Sequence, residues 1–136
     1  MWRILLTALL IAGCAQLPPR PQDIQAKRFA PVADKAVIYI VRTPMDSWEA
    51  SGLSLGDRAQ ITTLPGTYYR WEVTPGVHRI AGFAAANESF TLTTAAGRIY
   101  FLEHTVIGIR HSPQYTSLRQ IGEREGRALV TQAQLL

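Results

Sequence analysis

Three histidines, His78, His104 and His111, and a single cysteine, Cys14, are the side chains on which metal or catalytic chemistry would first draw. A metal centre needs three or four ligands converging on one point. No two of these histidines stand at a ligand-like spacing, and Glu103 and His104 are neighbours on a predicted strand, where successive side chains point to opposite faces. His78 follows a predicted turn and reads as a turn-supporting or cross-strand residue. A serine–histidine–aspartate set can be drawn on paper from Ser89, His104 and Asp57. No Gly-x-Ser-x-Gly elbow, phosphate-cradling glycine loop or paired-carboxylate pattern gives that selection a physical basis. Glu123 and Glu125 flank Arg124 at the start of a predicted helix, where carboxylates favour the helix dipole. The expectation is a protein that is not an enzyme and has no catalytic residue and no metal.

Cys14 stands apart because of what precedes it. Arg3 is followed by an apolar stretch, residues 4–12, whose one polar member is Thr7, and this matches the charged start and apolar middle of a secretory signal. The stretch is too short to cross a bilayer, which takes about 20 apolar residues. Ile11-Ala12-Gly13-Cys14 resembles the bacterial lipobox, in which the thiol receives a diacylglyceryl group and a peptidase cuts just before the cysteine. That resemblance implies a signal peptide over residues 1–13 and a covalent lipid on Cys14, with no other cofactor. A single acyl chain binds membranes only marginally, whereas the two or three chains of this modification hold durably. With Cys14 consumed, no thiol remains for disulfide or nucleophilic chemistry.

The net charge of +4 is mild and its basic residues are scattered, so a nucleic-acid footprint is unsupported. Attraction to anionic headgroups or envelope polymers is the more natural consequence. Ala15, rather than Asp, follows the cysteine. In the usual sorting pattern of lipid-anchored envelope proteins this points to the outer membrane, facing the periplasm.

Residues 14–35 read as a lipidated, proline-rich tether. Pro18-Pro19-Arg20-Pro21 favours polyproline II, and about twenty residues at ~3.1 Å each would reach at most ~60 Å. The folded domain is expected over residues 36–136. Val37-Ile38-Tyr39-Ile40-Val41 is β-branched and apolar on both faces, the pattern of a central buried strand. Residues 53–61 predict two short strands around a Gly56-Asp57 hairpin turn. Leu64-Pro65-Gly66-Thr67 and Thr74-Pro75-Gly76-Val77 carry proline and glycine where a type II turn wants them. Between those turns Tyr69, Trp71 and Val73 are expected to face the core and Tyr68, Arg70 and Glu72 to face water. Residues 77–83 are expected to return beside that strand, and strands over 88–93 and 98–107 follow in an antiparallel meander. Residues 108–116 read as a loop, 117–121 as an edge strand and 123–134 as a short helix, weakened by Gly126. The predicted architecture is a mainly β, small antiparallel sandwich with a short C-terminal helix.

Trp48 lies among Asp46, Ser47 and Glu49 in a loop. Its indole either folds back over an open end of the sandwich, as the needs of a small core favour, or stays exposed to stack on a sugar or anchor a protein partner. Arg110, His111 and Tyr115 form a second candidate contact surface.

The lipobox, the strand at residues 37–41, the Gly-Asp hairpin, Val73-Thr74-Pro75-Gly76-Val77-His78 and Ala95-Ala96-Gly97-Arg98-Ile99-Tyr100-Phe101 together resemble a family of small bacterial lipoproteins known only as a domain of unknown function. Its members look like immunoglobulin-like or transthyretin-like sandwiches, and the Pro-Gly-x-His hairpin is similar to that of PEGA modules. The resemblance implies an address and a fold, not an activity. The functional expectation is a lipid-anchored adaptor or accessory subunit with an envelope protein as partner; the alternative is a module binding an envelope glycan or lipid. An open apolar strand edge would mark the adaptor, and a concave patch with polar groups converging on an exposed Trp48 would mark the ligand binder.

Overall fold

A computed structural model describes residues 20–136 with the exception of 46, 58, 84, 85, 88, 110 and 111. The predicted signal peptide, Cys14, Arg110 and His111 therefore lie outside the described residues. The described chain forms strands β1 (Ala36–Val41), β2 (Ser51–Leu55), β3 (Ala59–Thr63), β4 (Thr67–Val73), β5 (Gly76–Gly82), β6 (Ala86–Asn87), β7 (Ser89–Thr94), β8 (Ile99–Ile109), β9 (Ser112–Ile121) and β10 (Gln134–Leu135), with helices α1 (Pro21–Ala26) and α2 (Glu123–Gln132). One sheet has the order β10-β4-β1-β8-β9-β6 and the other β3-β2-β5-β7. They form the expected β-sandwich with its C-terminal helix.

β1 is buried along its whole length, as its two-sided apolar composition predicts. Its two faces serve two cores. Ile38 and Ile40 meet Leu53, Leu55, Ile80 and Leu102 between the sheets. Val37, Tyr39 and Val41 face the other way, under Ala26, Phe29 and Val130 of the helical layer. Tyr39 stacks on Phe101 with ring centroids 5.2 Å apart, and Phe29 tilts against both.

That helical layer corrects the expected tether. From residue 20 onward the chain is part of the domain: Pro21 starts a helix at the position that tolerates its missing N–H, and Ala26 and Phe29 are buried. The cause is the outer face of the larger sheet, whose Tyr39, Tyr68 and Phe101 need a cover. Tyr68, expected to face water, is buried here, and its hydroxyl donates to the Asp23 carboxylate at 2.7 Å.

The simple meander is also corrected. β4 and β5 follow one another through Pro75-Gly76 but lie in different sheets, as do β7 and β8. The apolar faces of β4 and β5 thus oppose each other across the core instead of lying side by side. Gly66 has φ 72 and the Thr67 amide donates to Leu64 O, consistent with the expected type II turn, whereas Gly76 has φ 146 and redirects the chain between sheets. β1 pairs with β4 antiparallel and with β8 parallel. Residues 112–116, expected as loop, continue β9, which lies between β8 and the short β6 and so is not an edge strand.

Candidate functional site

Strand direction sorts the loops onto two ends of the sandwich. One end carries the turns around Asp57, Pro75 and Gly97, with Asp34, Asp57 and Arg98 exposed. The other carries the loop after β1, the starts of β2 and β4, and the β8–β9 hairpin.

This second end is closed from within by polar groups. Arg42, Ser51, Thr63, His104 and Thr116 are all buried. Arg42 donates from Nη1 to Thr63 O at 3.2 Å and from Nη2 to Ser47 O, so a buried guanidinium grips the loop that bears Trp48. Thr63 gives its hydroxyl proton to Ser51 O at 3.1 Å; with that proton committed, His104 must donate from Nδ1 to Thr63 Oγ1, also at 3.1 Å. His104 Nε2, Ser51 Oγ and Thr116 Oγ1 have no hydrogen-bond partner among the described residues. Burial, and then the positive charge of Arg42, push the His104 pKa down to about 3. The imidazole is thus neutral at ordinary pH and acts as a donor holding Thr63.

With the end already filled, no room remains for an indole. Trp48 is 88% exposed, against the expectation that it folds back, and Met45 is 93% exposed beside it. Together with Val106, 58%-exposed Ile107 and Gly108 they line a shallow concavity whose polar members are Ser47 and Glu49. Tyr115, paired with Ile107 across β8 and β9, is half-buried on the same hairpin. The structure therefore brings Trp48 and Tyr115 to one end of the fold.

His78 takes the role expected of it. Its Nε2 lies 2.8 Å from Thr74 O across the Pro75-Gly76 turn, and its ring meets Trp71 edge-on.

A second surface was not singled out by sequence reasoning. β10 pairs with β4 at two positions, Gln134 with Thr67 and Leu135 with Tyr68. The amides of Gln134 and Leu136 donate to Gly66 O and Tyr68 O. By strand alternation the backbone groups of Arg70 and Glu72 point to this same side. Among the described residues, no strand registers against them there. Alongside lies a groove of about 790 Å³, lined by Pro21, Gln25, Pro31, Val32, Tyr69 and Leu136 together with Arg70 and Glu72. Proline-rich composition hinted at an extended segment here, but only packing shows that residues 30–32 form a wall.

Among the described residues, no group of three or more His, Cys, Asp and Glu side chains is placed to hold a metal ion. No described helix is long and apolar enough to cross a membrane. No family model matches the chain. No curated protein matches it either.

Proposed function

We propose that this chain is a lipid-anchored, non-enzymatic lipoprotein of the bacterial envelope, on the periplasmic side of the outer membrane, and that it acts as an adaptor. Its docking site is the open part of β4, where an extended segment of another envelope protein adds as a strand. The observation that carries the reading is the groove beside Arg70 and Glu72, continuous with the edge that β10 already occupies in strand fashion. Main-chain hydrogen bonds to the free edge would supply affinity, and apolar side chains of the partner would fill the space between Tyr69 and Pro31–Val32. The Trp48 concavity is less suited to a glycan, since few polar groups converge on it.

The test places a photo-crosslinking residue at position 72 or, as the control, at Thr62 on the far edge strand β3. The adaptor reading expects one envelope protein crosslinked from position 72 and not from 62. Arg70→Pro, which removes an outward N–H from the same edge while the crosslinker stays at 72, abolishes that product, whereas Arg70→Ala keeps it. Equal products from both edges, or a product indifferent to Arg70→Pro, would reject strand addition.

A further inference from the structure

We infer that the end bearing Met45, Trp48 and Ile107 is a membrane-seating tip, which rests directly on the lipid surface that the Cys14 anchor enters. The inference depends on the lipid anchor proposed above, and goes beyond it by fixing how the domain lies on the bilayer.

The first argument is the length of chain between the anchor and the fold. Arg20 is already held against the domain, so only five residues, 15–19, lie between Cys14 and it, and six fully extended Cα–Cα steps span about 20 Å. The domain cannot stand far from the bilayer.

The second is where that short connection joins. The Arg20 guanidinium donates to Leu135 O, and Leu135 sits beside Tyr68 in the β10–β4 register. From there the contacts lead to the tip: Gln134 N donates to Gly66 O, Gly66 N donates to Arg42 O, and Pro44 lies against Gly66. The anchor thus enters on the half of the domain that carries the loop with Met45 and Trp48. The charged end, with Asp34, Asp57 and Arg98, lies at the opposite ends of the same strands.

The third is chemistry. Tryptophan has an apolar body and a polar N–H, the combination that collects at membrane interfaces, and an almost fully exposed methionine beside it gains by entering the acyl boundary. The tip is also held in place: Arg42 fixes Ser47 O, and the Glu49 amide donates to Ser47 Oγ at 3.3 Å. The loop therefore presents Trp48 without an ordering cost at the moment of contact. Seated this way, β4 stands lateral to the membrane with its open edge accessible to a partner.

The test uses the acylated full-length protein, purified from membranes and reconstituted into phosphatidylethanolamine–phosphatidylglycerol vesicles with or without brominated acyl chains. Trp71→Phe leaves Trp48 as the reporter in the processed chain, and mass measurement verifies acylation at Cys14. A seated tip gives a blue-shifted Trp48 emission, loss of fluorescence to brominated lipid and protection from aqueous iodide. Met45→Asp, with the lipid retained, restores iodide access. Acylated protein whose Trp48 stays open to iodide and insensitive to brominated lipid overturns the tip and leaves the anchor standing. An unacylated Cys14 overturns both. A photo-crosslinker at position 48 that labels a protein in cells, and not lipid, also overturns the lipid seat.

Discussion

The Tyr68 hydroxyl donates to the carboxylate of Asp23 at 2.7 Å, joining α1 to the larger sheet. The same carboxylate accepts from Lys27 Nζ at 2.9 Å and from the Leu135 amide at 3.2 Å. Burial acts to raise the Asp23 pKa, but the bonds from Lys27, Tyr68 and Leu135 outweigh it and hold the carboxyl below its ordinary range. Asp23→Ala leaves the Tyr68 hydroxyl buried without this partner and should cost about 2–3 kcal/mol, read by urea denaturation. Tyr68→Phe removes one bond and should cost about half as much, while α1 becomes more open to hydrogen exchange.

His104 sets the response to acid. Its folded pKa is depressed to about 3, so between the ordinary value of 6.5 and 3 the unfolded chain binds a proton that the folded chain does not. Stability is therefore full above about pH 6.5 and falls as pH drops, by up to about 1.4 kcal/mol per pH unit from this group alone. The Asp23 contribution is lost lower still, as pH falls through its depressed folded pKa. His104→Leu should flatten the decline between pH 6 and 4 in thermal melts, with a cost of about 1 kcal/mol at neutral pH for the lost Thr63 bond. An unchanged acid profile in this variant would assign the sensitivity elsewhere.

Gly126 lies where α2 crosses Phe101, and a Cβ there would fall well inside van der Waals distance of the Phe101 ring and its own Cβ. Alanine gains about 1 kcal/mol in helix propensity, but forcing α2 off the sheet costs about 1–3 kcal/mol, and the severity of this overlap makes the second effect win. Gly126→Ala should lower the melting temperature. Combined with Phe101→Leu it should be less harmful than the two single losses added together, because the shorter side chain makes space.

Cys14→Ser should abolish incorporation of a fatty-acid analogue and release the protein from the membrane fraction. Absence of label in the wild-type chain would remove the proposed anchor.

Much of the sandwich was legible because its signals are local. The two-sided apolar run of β1, the Gly56-Asp57 hairpin and the helix after Gly122 each announce themselves within a few residues. The assignment of strands to sheets was not, since a Pro-Gly turn marks a reversal without saying whether the next strand lies beside or opposite the last. From residue 20 onward the predicted tether gives way to packed structure, because its sequence signals are compositional and short-range. Pro18-Pro19-Arg20-Pro21 looks extended, and nothing nearby says that Ala26 and Phe29 will cover Tyr39 and Phe101. Phe29 takes φ 51, an unusual backbone state for a phenylalanine, and its ring is packed by Tyr39 on one strand and Arg127 on α2. At the candidate surfaces, Trp48 was recognised as a choice between burial and exposure. What decided it, the buried Arg42 and His104, reads in sequence as two ordinary surface-type residues. The groove beside β4 carried no signal at all, because an open strand edge is defined by where its neighbour stops.

The larger sheet is completed late. β1 can gain β4 early, but its other side waits for β8, and the latch between Asp23 and Leu135 joins residues 112 positions apart. Such distant pairings delay folding, because the entropy of closing the chain is lost before the contacts reward it. The contacts that close the outer face of the larger sheet thus span nearly the whole of the described chain. A copy cut short before Leu135 lacks the latch and leaves the aromatic face of Tyr39 and Tyr68 poorly covered.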